Sequence, residues 1–178
     1  MKAAYLLAGV LLYAAPLFSQ QTATLPASAD PTVLKGELKW FSLTENRTEV
    51  AKEMGLPVMA APVGPELEAW QFQLGPTEEE GFSHQFVFSK ATGTLVSVTR
   101  NYEPEREVDS FFPAAETKAY FYPNAAKPEY RVRVRRLSGA RLLIAMGVSK
   151  PGESTGQILL IRETELIRFY PWLAAQLK

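Results

Sequence analysis

The sequence predicts an α+β fold: a mainly antiparallel, curved sheet with an early amphipathic helix and a C-terminal helix packed on one of its faces. Three observations carry that expectation. Apolar and polar residues alternate with period two over most of the chain, as in half-buried strands. Turns containing glycine, proline or serine separate the alternating runs. The main helical signals gather in two places, near residue 45 and beyond Thr164. Successive strands with a helix at either end make one sheet whose apolar side the helices cover.

Residues 33–41 read as a first strand. Ser42-Leu43-Thr44-Glu45 matches a capping box, in which Ser42 accepts from the Glu45 amide and Glu45 reaches back. The helix it opens spans 43–54, with Leu43, Val50 and Met54 along one side, and Gly55 and Pro57 close it. A proline-rich loop covers 57–65. Three strands follow. The first, 69–74, carries Trp70, Phe72 and Leu74 on one face; the second, 82–89, carries Phe82, His84, Phe86 and Phe88. Lys90-Ala91-Thr92-Gly93 joins the second to the third, 94–101, as a hairpin. Residues 102–108 are charged and read as a connector, and Asp109 can cap a short helix reaching 115. Strands resume at 117–122, 129–137, 141–149 and 157–162, with Ser138-Gly139 as a tight turn. Thr164 caps a terminal helical segment that Pro171 divides, with its second part over 172–177.

The N-terminus carries a different signal. Lys2 precedes an unbroken apolar run over 3–15, Pro16 breaks it, and small Ser19 offers a cleavage point. That order is the order of a secretory signal peptide, so 1–19 is expected to direct export to the periplasm or beyond the cell. The apolar stretch over 3–18 is sixteen residues, short of the ~20 that a membrane-spanning helix needs. No stable span is expected after cleavage. Residues 20–32, rich in Ala, Ser, Thr and Pro, read as a disordered lead-in. Residues 33–178 read as one α+β domain, with 33–108 and 109–178 as its two subunits of structure.

Composition is that of a globular domain, with 47% hydrophobic and 21% charged residues. The sequence contains no cysteine, so an exported fold must be held by its core, and attachment of lipid to a cysteine is ruled out. The zero net charge hides an asymmetry. Residues 20–110 carry seven Lys and Arg against fourteen Asp and Glu, whereas 111–178 carry eleven against five. Halves of opposite charge either complement one another or leave a bipolar surface that steers a charged partner.

The sharpest pattern is Tyr130-Arg131-Val132-Arg133-Val134-Arg135-Arg136. On a strand, Arg131, Arg133 and Arg135 form one cationic row opposite Tyr130, Val132 and Val134, and Arg141 on the next strand extends it. The row is either a binding site for an anion or acidic surface, or a charged sheet face paired with glutamates. Aromatic residues cluster at Phe111-Phe112 with Tyr120-Phe121-Tyr122, and at Phe169-Tyr170-Pro171-Trp172. Phe121, Tyr170 and Trp172 are candidates to line a ligand pocket, with core packing as the alternative.

Catalytic patterns are thin. Gly152-Glu153-Ser154-Thr155-Gly156 matches G-x-S-x-G, but it precedes a strand where a nucleophile elbow precedes a helix. A polar hairpin loop accounts for it. His84 is the sole histidine and alternates with phenylalanines, which suits a packed residue better than a general base. One histidine, no cysteine and two aspartates, Asp30 and Asp109, give no zinc-ligand spacing. Glu78-Glu79-Glu80 either gathers a cation loosely or is a solvated loop. No metal, cofactor or nucleic-acid partner is expected.

The segment 43–57, with Asn46, Arg47, Gly55 and Pro57, followed by Trp70-Gln71-Phe72 and the hairpin of Phe86-Val87-Phe88, Gly93 and Val96-Ser97-Val98, resembles the SmpA/OmlA type of bacterial envelope protein. That BamE-like group shares a fold with β-lactamase-inhibitor-like proteins. The resemblance covers about residues 40–100. It implies a helix–sheet module that binds other proteins and carries no catalytic residues. The lipidated cysteine typical of the outer-membrane assembly members is missing, and 109–178 does not match.

The function expected is an exported, non-catalytic protein-binding module of the bacterial envelope or extracellular space. Two alternatives differ in class. One is a carrier of a small apolar or anionic ligand held between the curved sheet and the C-terminal helix. The other is a small hydrolase using His84 or a glutamate.

Overall fold

The computed structural model describes residues 27–28, 38, 42–73, 81–107, 109–123, 129–148 and 154–178. The segment read as a signal peptide, the Glu78-Glu79-Glu80 run and most of the lead-in lie outside the described residues.

The fold is α+β and mostly antiparallel sheet. Its elements in order are α1 (Arg47–Met54), β1 (Met59–Val63), β2 (Leu67–Gln73), β3 (Gly81–Ser89) and β4 (Leu95–Glu107). A 3₁₀ turn (Ala114–Glu116) leads into β5 (Thr117–Phe121), β6 (Arg131–Leu137), β7 (Arg141–Val148) and β8 (Ser154–Arg162). A second 3₁₀ turn (Glu163–Glu165) then opens two short helices, α2 (Leu166–Phe169) and α3 (Pro171–Gln176). All eight strands share one sheet in the order β1-β2-β3-β4-β8-β7-β6-β5. Two four-stranded meanders, one from each half of the chain, therefore meet along the β4–β8 seam. An ion pair between Arg168 and Glu66, at 2.6 Å, joins the basic second half to the acidic first.

Both faces of the sheet are covered, and by different helices. Alternation along β7 and β8 sends Leu143, Ala145, Ile158 and Leu160 into one core with Val50 of α1, Leu43, Phe111 and Phe112. It sends Leu142, Ile144, Leu159 and Ile161 into the other, with Leu166 and Leu173 of α2 and α3. The expectation of helices packed on one face is corrected: they sandwich the sheet. The cause is the apolar run 142–146 within β7, every residue of which is buried, and a strand of that kind needs cover on both sides.

Local differences have local causes. The helix begins at Arg47 rather than Leu43, because Leu43 takes φ +64° and puts its side chain into the core. The capping box is Asn46 with Glu49: Asn46 Oδ1 accepts from Thr48 and Glu49 amides at 2.9 and 3.1 Å, and Glu49 Oε2 accepts from the Asn46 amide at 2.8 Å. Ser42 and Glu45 bond one another just outside the helix. The loop expected over 57–65 contains β1, whose Pro62 is tolerated because the strand lies at the sheet edge. The connector expected over 102–108 is the continuation of β4 through Glu107. The helix expected after Asp109 is a turn and a 3₁₀ segment. Leu38 lies in a turn, not a strand, and is fully buried. Ser28, inside the stretch read as lead-in, is bridged to Leu137 at the end of β6.

Candidate functional site

The arginines of β6 point onto the face of the first core, since Arg133 and Arg135 pair with Ala145 and Leu143. There they hold the 109–116 connection down. Arg133 bonds Asp109 at 2.7 Å and the Phe112 carbonyl at 2.8 Å, with its guanidinium 5.8 Å from the Phe112 ring. Arg135 is 7% exposed; it pairs with Glu116 and donates to the Phe111 carbonyl at 3.0 Å and to Ser28 Oγ at 2.9 Å. Arg141 is also buried and donates to the Ser138 carbonyl at 2.9 Å, within its own turn. Arg131 is exposed and donates to the Tyr130 carbonyl at 2.9 Å. The row therefore fastens the fold along most of its length.

The aromatic candidates separate. Phe121 pairs with Arg131, on the first-core side of β5, and is 57% exposed. Tyr120 and Tyr122 pack on the second core with Tyr170 and Trp172, the Tyr122 and Trp172 rings 5.9 Å apart. Strand alternation thus denies Phe121, Tyr170 and Trp172 a common pocket. Burial holds the Tyr170 phenol above its ordinary range, and the neighbouring Tyr122 adds to the rise. Burial also raises the Tyr120 phenol, against the opposing charge of Arg136.

His84 is fully buried, opposite Phe72 and Arg100 and 6.1 Å from the Phe86 ring. A substrate from solvent does not reach it. Ser154 opens β8 rather than lying in a loop, and its hydroxyl donates to Glu105 at 3.1 Å. Among the described residues, no group of three or more potential metal ligands comes together, and no helix is long and apolar enough to cross a membrane.

Two features that sequence reasoning missed are more open. The first is β1. Leu56, Val58 and Met59 are 89%, 67% and 53% exposed, and Val63 continues the patch. Among the described residues, the strand has a partner on one side only. The missing signal was apolar residues persisting through a proline-rich stretch. The second is a groove of about 280 Å³, where pairing breaks in the β4–β8 ladder and again in the β6–β7 ladder. Met146 and Gly147 together oppose Val132 as a β-bulge, with Gly147 at φ +65°. Across β8, residues 102–105 of β4 stand opposite the single residue Gly156, with Tyr102 and Glu103 still paired to β3. Buried Thr155 holds the strand between, accepting from the Gln157 amide at 3.1 Å and donating to the Met146 carbonyl.

No family model matches the sequence, and no curated protein matches it. The fold is similar to that of a cysteine-rich secretory protein, SAV1118, from Staphylococcus aureus subsp. aureus Mu50. The TM-score is 0.52 at 10% identity, over 82% of this chain. The chain spans about half, 51%, of that structure. The likeness is one of fold, and this chain shares none of the cysteines.

Proposed function

We propose that this protein is an exported, non-catalytic module that binds another protein, in the periplasm or outside the cell, by accepting an extended apolar segment along β1. The observation that carries the proposal is the apolar, one-sided edge strand with Leu56, Val58, Met59 and Val63 at the surface. A segment laid there gains backbone hydrogen bonds for affinity and alternate side-chain contacts for specificity. Pro62 removes one donor from the edge, which keeps the ladder short and guards against runaway pairing. Export rests on the signal-peptide pattern over 1–19; the staphylococcal neighbour is described as secretory, which accords with it. The SmpA/OmlA resemblance supports a protein-binding role for the same half of the chain.

The test is a photo-crosslinking residue at Met59, with Lys118 on the opposite edge as control, in the cells that make the protein. Adducts with a discrete polypeptide at 59 and not at 118 are expected. Met59→Lys should then weaken that partner at least about tenfold without lowering Tm. Equal adducts at both positions, or an affinity unchanged by Met59→Lys, would overturn the assignment.

A further inference from the structure

The groove between the two bulges has a chemistry of its own. At Gly147 a Cβ would stand 3.2 Å from Tyr130 Cδ2 and 3.6 Å from Tyr122 Cε1, so two phenol rings converge on bare backbone. Trp172 backs the Tyr122 ring at 5.9 Å. The remaining walls are the Glu105 carboxylate, the Met146 thioether and the Gln157 amide. Gln157 Nε2 donates to Asn101 Oδ1 at 2.8 Å, which leaves its carbonyl oxygen and its second N–H. Among the described residues, no lysine or arginine side chain lines the groove. Of the adjacent arginines, Arg131 donates to the Tyr130 carbonyl and Arg106 stands 5.9 Å from the Tyr102 ring.

We propose that this groove binds a small organic cation, a protonated amine or quaternary ammonium group, held by the Tyr122 and Tyr130 rings and the Glu105 carboxylate. Aromatic faces carry negative potential and attract cations within about 6 Å. Among the described lining residues, an anion would meet a carboxylate and π faces. The protein already uses the same attraction internally, where Arg100 stands 5.0 Å from the Tyr102 ring. The volume, about 280 Å³, lies just below the range typical of drug-sized ligands, so the occupant is small. The positive φ of Gly147 maintains the approach of the rings, because a side chain there would meet Tyr130.

The experiment is an NMR titration of the full ¹⁵N-labelled chain, following the Gly147 and Gly156 amides. Choline is the probe, and its uncharged carbon isostere 3,3-dimethylbutan-1-ol is the control. Choline should shift both glycines saturably with Kd near about 1 mM, and the isostere should bind at least roughly fivefold more weakly. Glu105→Gln keeps an acceptor for Ser154 while removing the charge, and should weaken choline by about threefold to tenfold. Tyr130→Leu should weaken it further. Three results would each overturn the proposal: no saturable shift up to about 10 mM choline, equal binding of the isostere, or undiminished affinity in Glu105→Gln. Because Glu105 is at the surface, that variant stays informative even if Tyr130→Leu fails to fold.

Discussion

The sheet ends in two strands of five residues, β1 and β5, and treats them in opposite ways. The β5 end is tied down. Gln176 of α3 accepts from the Phe121 amide at 3.0 Å and donates to its carbonyl at 3.2 Å. Beside it, Arg133 and Arg135 clamp the 109–116 connection to β6, and Arg136 pairs with Glu163 at 2.6 Å on the other side. At β1, among the described residues, no side chain bonds the strand's backbone, and the surface is apolar. Place in the sheet is the same at both ends. What decides whether an edge is sealed or offered is the set of polar side chains that reach it.

The contrast is broken most severely at the tied end. Arg135→Ala leaves the Glu116 carboxylate and the Phe111 carbonyl without their buried donor, and a loss of about 3 kcal/mol is expected, read by denaturant unfolding. Arg133→Ala should cost less, because its partner Asp109 is mostly exposed. At the open end the expectation is reversed. Met59→Lys should leave unfolding within about 0.5 kcal/mol of the parent while abolishing partner capture, since the side chain already faces water. Gln176→Ala should cost about 1 kcal/mol, and should make β5 behave like β1, visible as self-association at high concentration.

The smallest effect is one of pH. The Tyr170 phenol is held above its ordinary value of 10.0 by burial, so the folded state keeps that proton longer than the unfolded chain does. Its contribution is whole below about pH 10 and is lost as pH rises through the folded value. Alkaline unfolding curves should therefore fall more steeply for the parent than for Tyr170→Phe.

Much of this arrangement was legible. Alternation located β2, β3 and the start of β4, and Ser138-Gly139 marked the turn where Gly139 takes φ +69°. Pro171 does open its own helix. The capping box was misread because Ser42-Leu43-Thr44-Glu45 and Asn46-Arg47-Thr48-Glu49 have the same pattern four residues apart, and only the burial of Leu43 separates them. The two-faced burial is written in the continuous apolar runs 142–146 and 158–161, which stand apart from the alternating strands around them. The arginine row was correctly placed on one side of β6. What alternation could not say was that this side is covered, because the covering residues, Phe111 and Phe112, come from a connection with no periodicity. The groove had no signal at all. It arises from two bulges, and a bulge is a mismatch between strands rather than a property of either.

Ser28 sets a schedule as well as a contact. Its amide donates to the Arg136 carbonyl at 2.9 Å, and its hydroxyl also meets that carbonyl, across 108 positions of chain. A ribosome delivers Ser28 long before Arg136 exists, so the bond waits for most of the polypeptide to be made. Closing so long a loop is favourable only once the intervening strands are paired. The tie at the β6 end is therefore expected to form late, so that Ser28→Ala should speed unfolding more than it slows refolding, as stopped-flow measurements would read.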